Sequence, residues 1–437
     1  MNLSGGGFVK HNLGYVFAVV LLIAAVEFIA RGPARAEDSS FDWVTPYFST
    51  KAWLQGGNPY DHNLLEQLQQ NEGDVPQFIP LKNYYPSAYP PTTFVILAPL
   101  NWLSWKQARQ LLLVINLIAT IATLVALAGL GGFKRTEWRS YLLWCFGLGF
   151  APFHSGIAHG NLIILSVTCV ALAVWAAARQ KEVCAGGLLA VAIALKPQIG
   201  AMIWLAYAFQ RRWRMCTITA VVWVLVAVVA VWQLEKNNVE WLRGWANNTV
   251  EFTATGSSND PTSANRLRHD LINLQRLLHA LIDTSREKVN ALTYGFISCL
   301  LMVYVLLHQR LRTRKDELLS ISALAVIGLL PVYHRFYDAT LLMLPLAWSL
   351  TAWYGHLRIS ARLTLALILP FLFPAPAMFY QLLVRGYIPR AWAETWWWNA
   401  LLMSHQVWLL LLLALSLLYA LKRSSKYGDL PAAVSAH

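Results

Sequence analysis

The sequence has few charged residues and lacks the short motifs of many soluble enzymes. Aspartate, glutamate, lysine and arginine make up only 13% of the 437 residues, about half of their usual share. No GxGxxG, Walker, HExxH or GxSxG motif is present. Neither a nucleotide-phosphate cradle nor zinc-hydrolase chemistry therefore has support in the sequence.

Cysteine is also scarce and has no pattern. The cysteines are odd in number, form no CxxC pair and lie in or beside apolar segments: Cys145, Cys169, Cys184, Cys216 and Cys299. We interpret them as buried small hydrophobic side chains, which argues against a disulfide framework and against a metal site.

Long apolar runs dominate what is present. Hydrophobic residues make up 57% of the chain, and runs of roughly 15 to 25 residues recur to its C-terminus. There is too little polar sequence to cover these runs in a soluble core, and most are long enough to cross about 30 Å of hydrocarbon. The sequence predicts an all-α, polytopic membrane protein with a single domain over residues 1–437.

The net charge of +13 is concentrated in basic clusters at the ends of the apolar runs, as at Arg211, Arg212 and Arg214. Such clusters mark cytoplasmic loops, so the charge does not indicate nucleic-acid binding. The runs then alternate as about twelve crossings with both termini and the tail 422–437 in the cytoplasm: 14–30, 105–130, 140–152, 161–178, 184–195, 197–210, 215–233, 288–308, 317–332, 339–354, 363–382 and 401–421.

The N-terminal run allows a second interpretation. Lys10, the apolar residues 15–30 and Ala34-Arg35-Ala36 resemble a signal peptide with its cleavage site. We favour an uncleaved first transmembrane helix, because the run is long for a signal peptide and arginines flank the cleavage site.

Large polar segments fall on the external face, chiefly a first loop at 31–91 and a second at 234–287. In the first loop Phe41, Thr45, Phe48 and Ala52 recur at helical spacing. This pattern predicts an interfacial helix that lies along the bilayer with its apolar side in the membrane.

Asp42 stands in that predicted helix, close to the first crossing. A carboxylate near the lipid boundary can act as a general base toward a hydroxyl, although most acids in external loops are simply solvated. Asn58 and Tyr60 of a Gly-Gly-Asn-Pro-Tyr turn, and Tyr85 before a proline-rich re-entry, are candidate substrate-binding residues or plain loop residues.

Lys196 interrupts a long apolar run just before Pro197. A lysine inside a membrane normally faces a protein-lined or wet cavity and meets an anion, whereas a lysine at a helix end can snorkel to water. The proline splits the predicted helix at this point.

A further group of candidates lies in "PVYHRFYDATLL". His334 and Arg335 could bind a phosphate, for which the forked donors of arginine are well suited. The alternative is an ion pair of Arg335 with Asp338 at a helix start.

Weaker candidates for substrate binding come from two other places. The loop "SANRLRHD" contributes Asn265, Arg266 and His269, and a short turn contributes His159 and Asn161. Ordinary solvation and satisfied buried polar groups would explain them as well.

Taken in order, several stretches resemble glycosyltransferase family 87 of the GT-C superfamily, whose members are similar to polyprenyl-phosphate-mannose-dependent α-mannosyltransferases. They are Asp42 with "GGNPYD", "YPPTTFVILAPL", "HGNLIILSVTCVALAV", "AGGLLAVAIALKPQIGAMIWLAYAFQRRWR" and "YHRFYDATLLMLPL". Gly160-Asn161 stands where relatives commonly have glycine and glutamine.

The resemblance implies that Asp42 is the catalytic base and that His334, Arg335 and Lys196 bind the donor phosphate. It implies inversion at a hexose, mannose above all, moved from a polyprenyl-phosphate donor to a lipid-linked or glycan acceptor without metal or cofactor. The expected site is the periplasmic face of a multi-pass inner-membrane protein, in contact with membrane lipids. A lipid-linked glycan ligase and a lipid or sugar transporter are the alternatives.

Overall fold

The apolar runs fold into helices. The computed structural model describes residues 6–72, 75, 86–282, 284–309 and 317–427. The α-helices in this part of the chain are α1 Gly6–Arg31, α2 Pro33–Ser39, α3 Phe41–Leu54, α4 His62–Glu72, α5 Pro91–Leu97, α6 Trp105–Gly131, α7 Trp138–Gly149, α8 Ala151–Ala158, α9 Ile163–Ala178, α10 Glu182–Leu195, α11 Pro197–Phe209, α12 Trp213–Lys236, α13 Trp241–Glu251, α14 Leu274–Leu281, α15 Arg286–His308, α16 Glu317–Gly328, α17 Met343–Thr351, α18 Arg358–Ile368, α19 Ala375–Val384 and α20 His405–Tyr427.

Several helices are long and apolar enough to cross a membrane, so the protein is a multi-pass membrane protein. In the described part of the chain there are six: Tyr15–Ser39, Trp105–Gly131, Trp213–Lys236, Arg286–His308, Arg358–Val384 and His405–Ser425. Shorter apolar helices are Ile163–Ala178, Glu182–Leu195 and Glu317–Gly328. Each of the crossings expected from the sequence coincides with a helix or a broken helix, but about twelve crossings is not a number that these helices establish.

Two short helices form the centre of the bundle. Every residue of α16 from Leu319 to Gly328 is buried, and so is every residue of α17 from Met343 to Leu350. Helix α16 contacts α11, α15, α17 and α20, while α17 also contacts α6 and α18. A helix that is apolar on all sides is buried by neighbouring helices in this way.

Helix α3 forms where the sequence spacing predicted a helix, but its surroundings differ from the prediction. Trp43, Tyr47 and Phe48 are fully buried, and the helix packs against α4, α5 and the 3₁₀ helix Ala98–Trp102. The apolar side of α3 therefore packs against protein rather than facing the membrane as predicted, since the chain returns after the Gly-Gly turn and covers it. That α3 lies along the bilayer stays a prediction.

The split helix is found where proline predicted it. Helix α10 ends at Leu195 and α11 begins at Pro197, with Lys196 in a non-helical conformation between them. The break leaves the carbonyl of Ala194 without its helical donor, and the hydroxyls of Thr92 and Thr93 donate to it at 3.1 and 2.8 Å. Helix α5 thus holds the break in place.

Candidate functional site

One cavity of about 380 Å³ collects the polar groups of four separate regions of the chain. Asp42 enters from α3, Asn161 from the α8–α9 turn, Lys196 from the α10–α11 break, and Arg335 and Asp338 from the segment before α17. The volume lies within the usual range for small-molecule sites. Four of these residues are candidates from the sequence, so the fold brings them together.

Asp42 is held in a fixed position by the α8–α9 turn. The side-chain amide of Asn161 donates to Oδ2 of Asp42 at 2.8 Å, and the backbone amide of Asp42 donates to the carbonyl of His159 at 3.1 Å. The Asn161 carbonyl oxygen in turn accepts from the amide of Ile163. Asn161, which is 2% exposed, therefore orients the carboxylate.

Gly160 makes this close approach possible. Its φ of +64° lies in the left-handed region, and a Cβ added there would lie 3.0 Å from the Cβ of Trp43. Pro46 also alters α3 locally: because proline has no N–H, the carbonyl of Asp42 lacks its helical donor. The catalytic candidate thus stands in a locally irregular first turn.

Lys196 meets an anion of the protein itself. Its ammonium donates to Oδ1 of Asp338 at 2.9 Å and lies 4.9 Å from the centre of the Tyr337 ring. His334 Nδ1 lies 3.1 Å from the other oxygen of Asp338, and the backbone amide of Arg335 donates to that same oxygen. Asp338 therefore has three hydrogen-bond partners, one at Oδ1 and two at Oδ2.

These contacts control the charge of Asp338. Burial alone would raise the pKa of its carboxyl, but Lys196 and His334 outweigh burial and hold that pKa below its ordinary value. His334 is fully buried behind Asp338 and is not among the residues that line the cavity.

Arg335 is held by the second external loop rather than by Asp338. Its Nε donates to the side-chain oxygen of Asn259 at 3.0 Å, and its second terminal nitrogen donates to the carbonyl of Ser258 at 2.9 Å. The isolated antiparallel bridge between Leu271 and Arg335 ties the backbone to the same loop. Both of these hydrogen-bond acceptors are neutral, and the Arg335 side chain also lines the cavity.

Three tyrosines complete the cavity wall. Burial raises the pKa of Tyr89, Tyr333 and Tyr337 well above the usual range, and the charge of Asp42 adds to the effect for Tyr89 and Tyr337. These side chains are therefore neutral phenols that can donate hydrogen bonds near Asp42 and Asp338.

Asn58 and Tyr60 lie outside the cavity lining. Asn58 accepts from the amide of Tyr60, whose hydroxyl donates to the carbonyl of Tyr89 at 3.0 Å. Asn248 binds the carbonyls of Tyr60 and Ser87, so this turn positions the segment that carries Tyr89. Tyr85 lies outside the described residues.

The remaining candidates of the second loop are also separate from the cavity. Asn265 donates to the carbonyls of Ser258 and Asp260, and Arg266 is exposed. The His269 ring stacks on Tyr380 at 4.4 Å between ring centres. Asn265 and His269 thus shape the loop that holds Arg335, while His159 supports Asp42 through its carbonyl.

Several lining residues were not among the candidates from the sequence. They are Thr45, Gln198, Trp223, Trp245, Thr249, Phe252, Asn259, Tyr333, Tyr337 and Asp338. Asp338 and Tyr337 stand in the same motif as His334, so that motif carried a signal for them. Trp223 and Trp245 belong to apolar or amphipathic helices, in which no local pattern distinguishes them.

A family comparison identifies the class of protein. The model of glycosyltransferase family 87 matches residues 88–345, which is more than half of the chain. The chain belongs to glycosyltransferase family 87. No curated protein and no solved structure is detectably similar to it.

Family membership makes the protein a glycosyltransferase and implies a sugar donor and an acceptor in general terms. The matched region of this family 87 member includes Asn161, Lys196, Arg335 and Asp338, whereas Asp42 precedes it. The link of Asp42 to the family region is therefore spatial, through its hydrogen bond with Asn161.

Proposed function

We propose that the protein is an inverting glycosyltransferase that moves a hexose, most simply mannose, from a polyprenyl-phosphate donor to a lipid-linked or glycan acceptor. In this proposal the cavity opens on the periplasmic face of the inner membrane in a chain with about twelve crossings. Asp42 is the base, and Arg335 and Lys196 bind the donor phosphate.

We assign Asp42 rather than Asp338 as the base because the two carboxylates of the cavity differ in their hydrogen bonds. Asp338 accepts from Lys196, His334 and the backbone amide of Arg335. Asp42 accepts from one side chain in the described part of the chain, Asn161, and only through Oδ2. Hydrogen bonds to the charged form make a carboxylate a weaker base, so Asp42 is the better acceptor for a proton.

The charges suit a phosphate leaving group. Two cations, Lys196 and Arg335, line the cavity together with two carboxylates, Asp42 and Asp338. Lys196 is paired with Asp338, so the cations stand on the Asp338 side of the cavity and Asp42 stands apart with Asn161. Arginine binds phosphate oxygens through its forked donors. The cationic side of the cavity can therefore stabilise the charge that develops on a departing phosphate.

The cavity also has access to lipid. Trp223 lines it and is 37% exposed, and its neighbours Val224, Leu225 and Val228 on α12 are exposed as well. Helix α12 is one of the long apolar helices, so its exposed face is a surface for hydrocarbon. A polyprenyl chain can lie along this face while its phosphate enters the cavity.

The reaction is a single displacement. The acceptor oxygen attacks the anomeric carbon as Asp42 takes its proton, and the bond between that carbon and the phosphate oxygen breaks. The electron pair of this bond leaves with the polyprenyl phosphate, beside Arg335 and Lys196. Attack opposite the leaving group inverts the anomeric centre.

The test compares wild type, Asp42→Asn and Asp38→Asn in lipid nanodiscs with radiolabelled polyprenyl-phosphate-mannose and a lipid extract as acceptor source. Release of polyprenyl phosphate and mass gain in the extract are measured. Asp42→Asn should lower turnover by about 10²–10⁴-fold and keep donor binding, since the isosteric amide cannot accept the proton. Asp38 is an exposed carboxylate of α2, and Asp38→Asn should match wild type.

Equal turnover in Asp42→Asn and wild type would place the base elsewhere. If wild type shows no transfer but moves the labelled lipid or sugar across the membrane of proteoliposomes, the protein is a transporter and the proposal fails.

A further inference from the structure

A second cavity of about 380 Å³ adjoins the one that holds Asp42. The two cavities share part of their walls: Pro197, Gln198, Thr249, Asn259 and Tyr333. A ligand in the second cavity would therefore be next to a ligand in the first.

Neutral amides dominate the polar lining of the second cavity. Beyond the shared wall it is lined by Asn273, Gln275 and Asn290, and its one charged residue among the described lining residues is Arg286. Amide side chains both donate and accept hydrogen bonds, which suits the closely spaced hydroxyls of a saccharide. A cavity lined in this way offers little to a cation.

Two buried oxygens in this lining have no hydrogen-bond partner among the described residues. They are Oδ1 of Asn273 and Oε1 of Gln275, in side chains that are 2% and 5% exposed. The amide nitrogen of Gln275 donates to the carbonyl of Pro331 at 2.6 Å, which fixes the orientation of this group. An unsatisfied buried acceptor is costly, so both oxygens favour a ligand that donates hydrogen bonds.

Asn273 departs from its usual local role. It occupies the N-cap position of α14 with an extended backbone, yet its side chain makes no capping hydrogen bond. Asparagine at this position normally accepts from a backbone amide of its own helix. The side chain is thus available to a ligand at a cost to its own helix.

The cavity lies at a membrane boundary. Arg286 is the first residue of α15, one of the long apolar helices, and Tyr294 on the same helix lines the cavity and is 49% exposed. Lipid headgroups lie beside the ends of membrane-spanning helices, so we infer that this end of α15 is at headgroup depth. The basic side chain of Arg286 can meet a lipid phosphate there.

We propose that the second cavity binds the neutral saccharide headgroup of a lipid-linked acceptor. This inference rests on the proposed function, since the acceptor bound in the second cavity supplies the hydroxyl that attacks the donor sugar. Asn273 and Gln275 accept hydrogen bonds from acceptor hydroxyls, and the hydroxyl to be glycosylated reaches past Gln198 toward Asp42.

Binding is tested without turnover. Radiolabelled dodecyl mannoside and dodecyl glucoside are titrated against the protein in nanodiscs, with dodecyldimethylamine oxide as a competitor that has neither sugar nor phosphate. Wild type and Asp42→Asn should bind at least one glycoside. Asn273→Leu and Gln275→Met should weaken that binding about 5- to 10-fold, because each loses one hydrogen bond.

Matched controls separate a lost contact from a damaged fold. Gln67→Leu changes an exposed glutamine of α4 and should bind the glycoside like wild type. Asn290→Leu is a second cavity variant in a half-buried helical position and should also weaken binding. All variants should retain polyprenyl-phosphate-mannose, since the donor site is in the first cavity.

The outcomes distinguish this inference from the proposed function. Unchanged glycoside affinity in the three cavity variants, or displacement by dodecyldimethylamine oxide as strong as by unlabelled glycoside, would overturn the inference even if transfer occurs. The absence of specific binding by wild type would overturn it too. Specific, variant-sensitive binding without any transfer would support the second cavity and refute the transferase mechanism.

Discussion

Separate and joint replacement of Lys196 and Asp338 tests how the buried ion pair divides its role between stability and catalysis. The two residues are 7% and 1% exposed, and their charged atoms lie 2.9 Å apart. At an effective dielectric constant of about 20, unit charges at that distance attract by about 6 kcal/mol. Desolvation of both groups offsets much of this attraction.

Removal of one partner leaves the other charge buried without compensation. Lys196→Met and Asp338→Asn should therefore each lower the free energy of unfolding by about 3–5 kcal/mol. The double variant has no unpaired charge, and its asparagine can still accept from the backbone amide of Arg335. Its stability should return to within about 1 kcal/mol of wild type, because a neutral pair avoids the desolvation cost.

Unfolding in mixed micelles of dodecyl maltoside and sodium dodecyl sulfate, followed by circular dichroism, measures these differences. Turnover is measured on the same preparations. We expect the double variant to recover stability but not turnover, since it lacks the ammonium that we assign to the donor phosphate.

Two results would refute this reasoning. If the double variant is as unstable as the sum of the single variants, the two charges do not stabilise each other. If it recovers turnover together with stability, Lys196 serves only as a counter-ion of Asp338.

Three further predictions concern the turn that holds Asp42 and the residues that pack around α3. Asn161→Leu should lower turnover about tenfold or more while donor affinity stays unchanged, because Asp42 loses the hydrogen bond that orients its carboxylate; a normal rate would contradict this role. Gly160→Ala should lower the free energy of unfolding by about 1–3 kcal/mol, because its φ is positive and Trp43 is close; an unchanged melting temperature would exclude this strain. Burial alone would raise the pKa of the Glu72 carboxyl. Hydrogen bonds from Lys51 and from the backbone amide of Trp105 outweigh burial and hold this pKa below its ordinary value. A group with a lowered native pKa contributes stability above its unfolded pKa of about 4 and loses it as the pH falls, so the loss of stability in acid should be smaller in Glu72→Gln than in wild type.

The helices could be predicted well from the sequence because hydrophobic run length and proline act locally. The break at Pro197 follows from the missing amide of one residue. The burial of α3 could not be predicted in this way. Trp43 and Tyr47 are typical both of a membrane interface and of a packed core, and the choice depends on where α4 and α5 lie after the turn.

The candidate site was predicted in part, for a similar reason. An intramembrane lysine requires an anion, so the sequence indicates that Lys196 has a partner. It does not indicate that the partner is Asp338, because helix contacts between distant segments decide this. The amides of the second cavity, such as Asn273 and Gln275, belong to no motif. Only the folded structure shows that they line one cavity, so the sequence does not predict a site there.

The partners of the two cations determine how each can act on a phosphate. Arg335 donates to a carbonyl and to an amide oxygen, which orient the guanidinium without neutralising it. Lys196 donates to a carboxylate, so an incoming phosphate must compete with Asp338 for the ammonium. If the donor phosphate binds as we propose, Arg335 should account for most of its initial attraction, whereas Lys196 should contribute most when negative charge grows on the leaving phosphate. Loss of Arg335 should accordingly weaken donor binding, and loss of Lys196 should chiefly slow the chemical step.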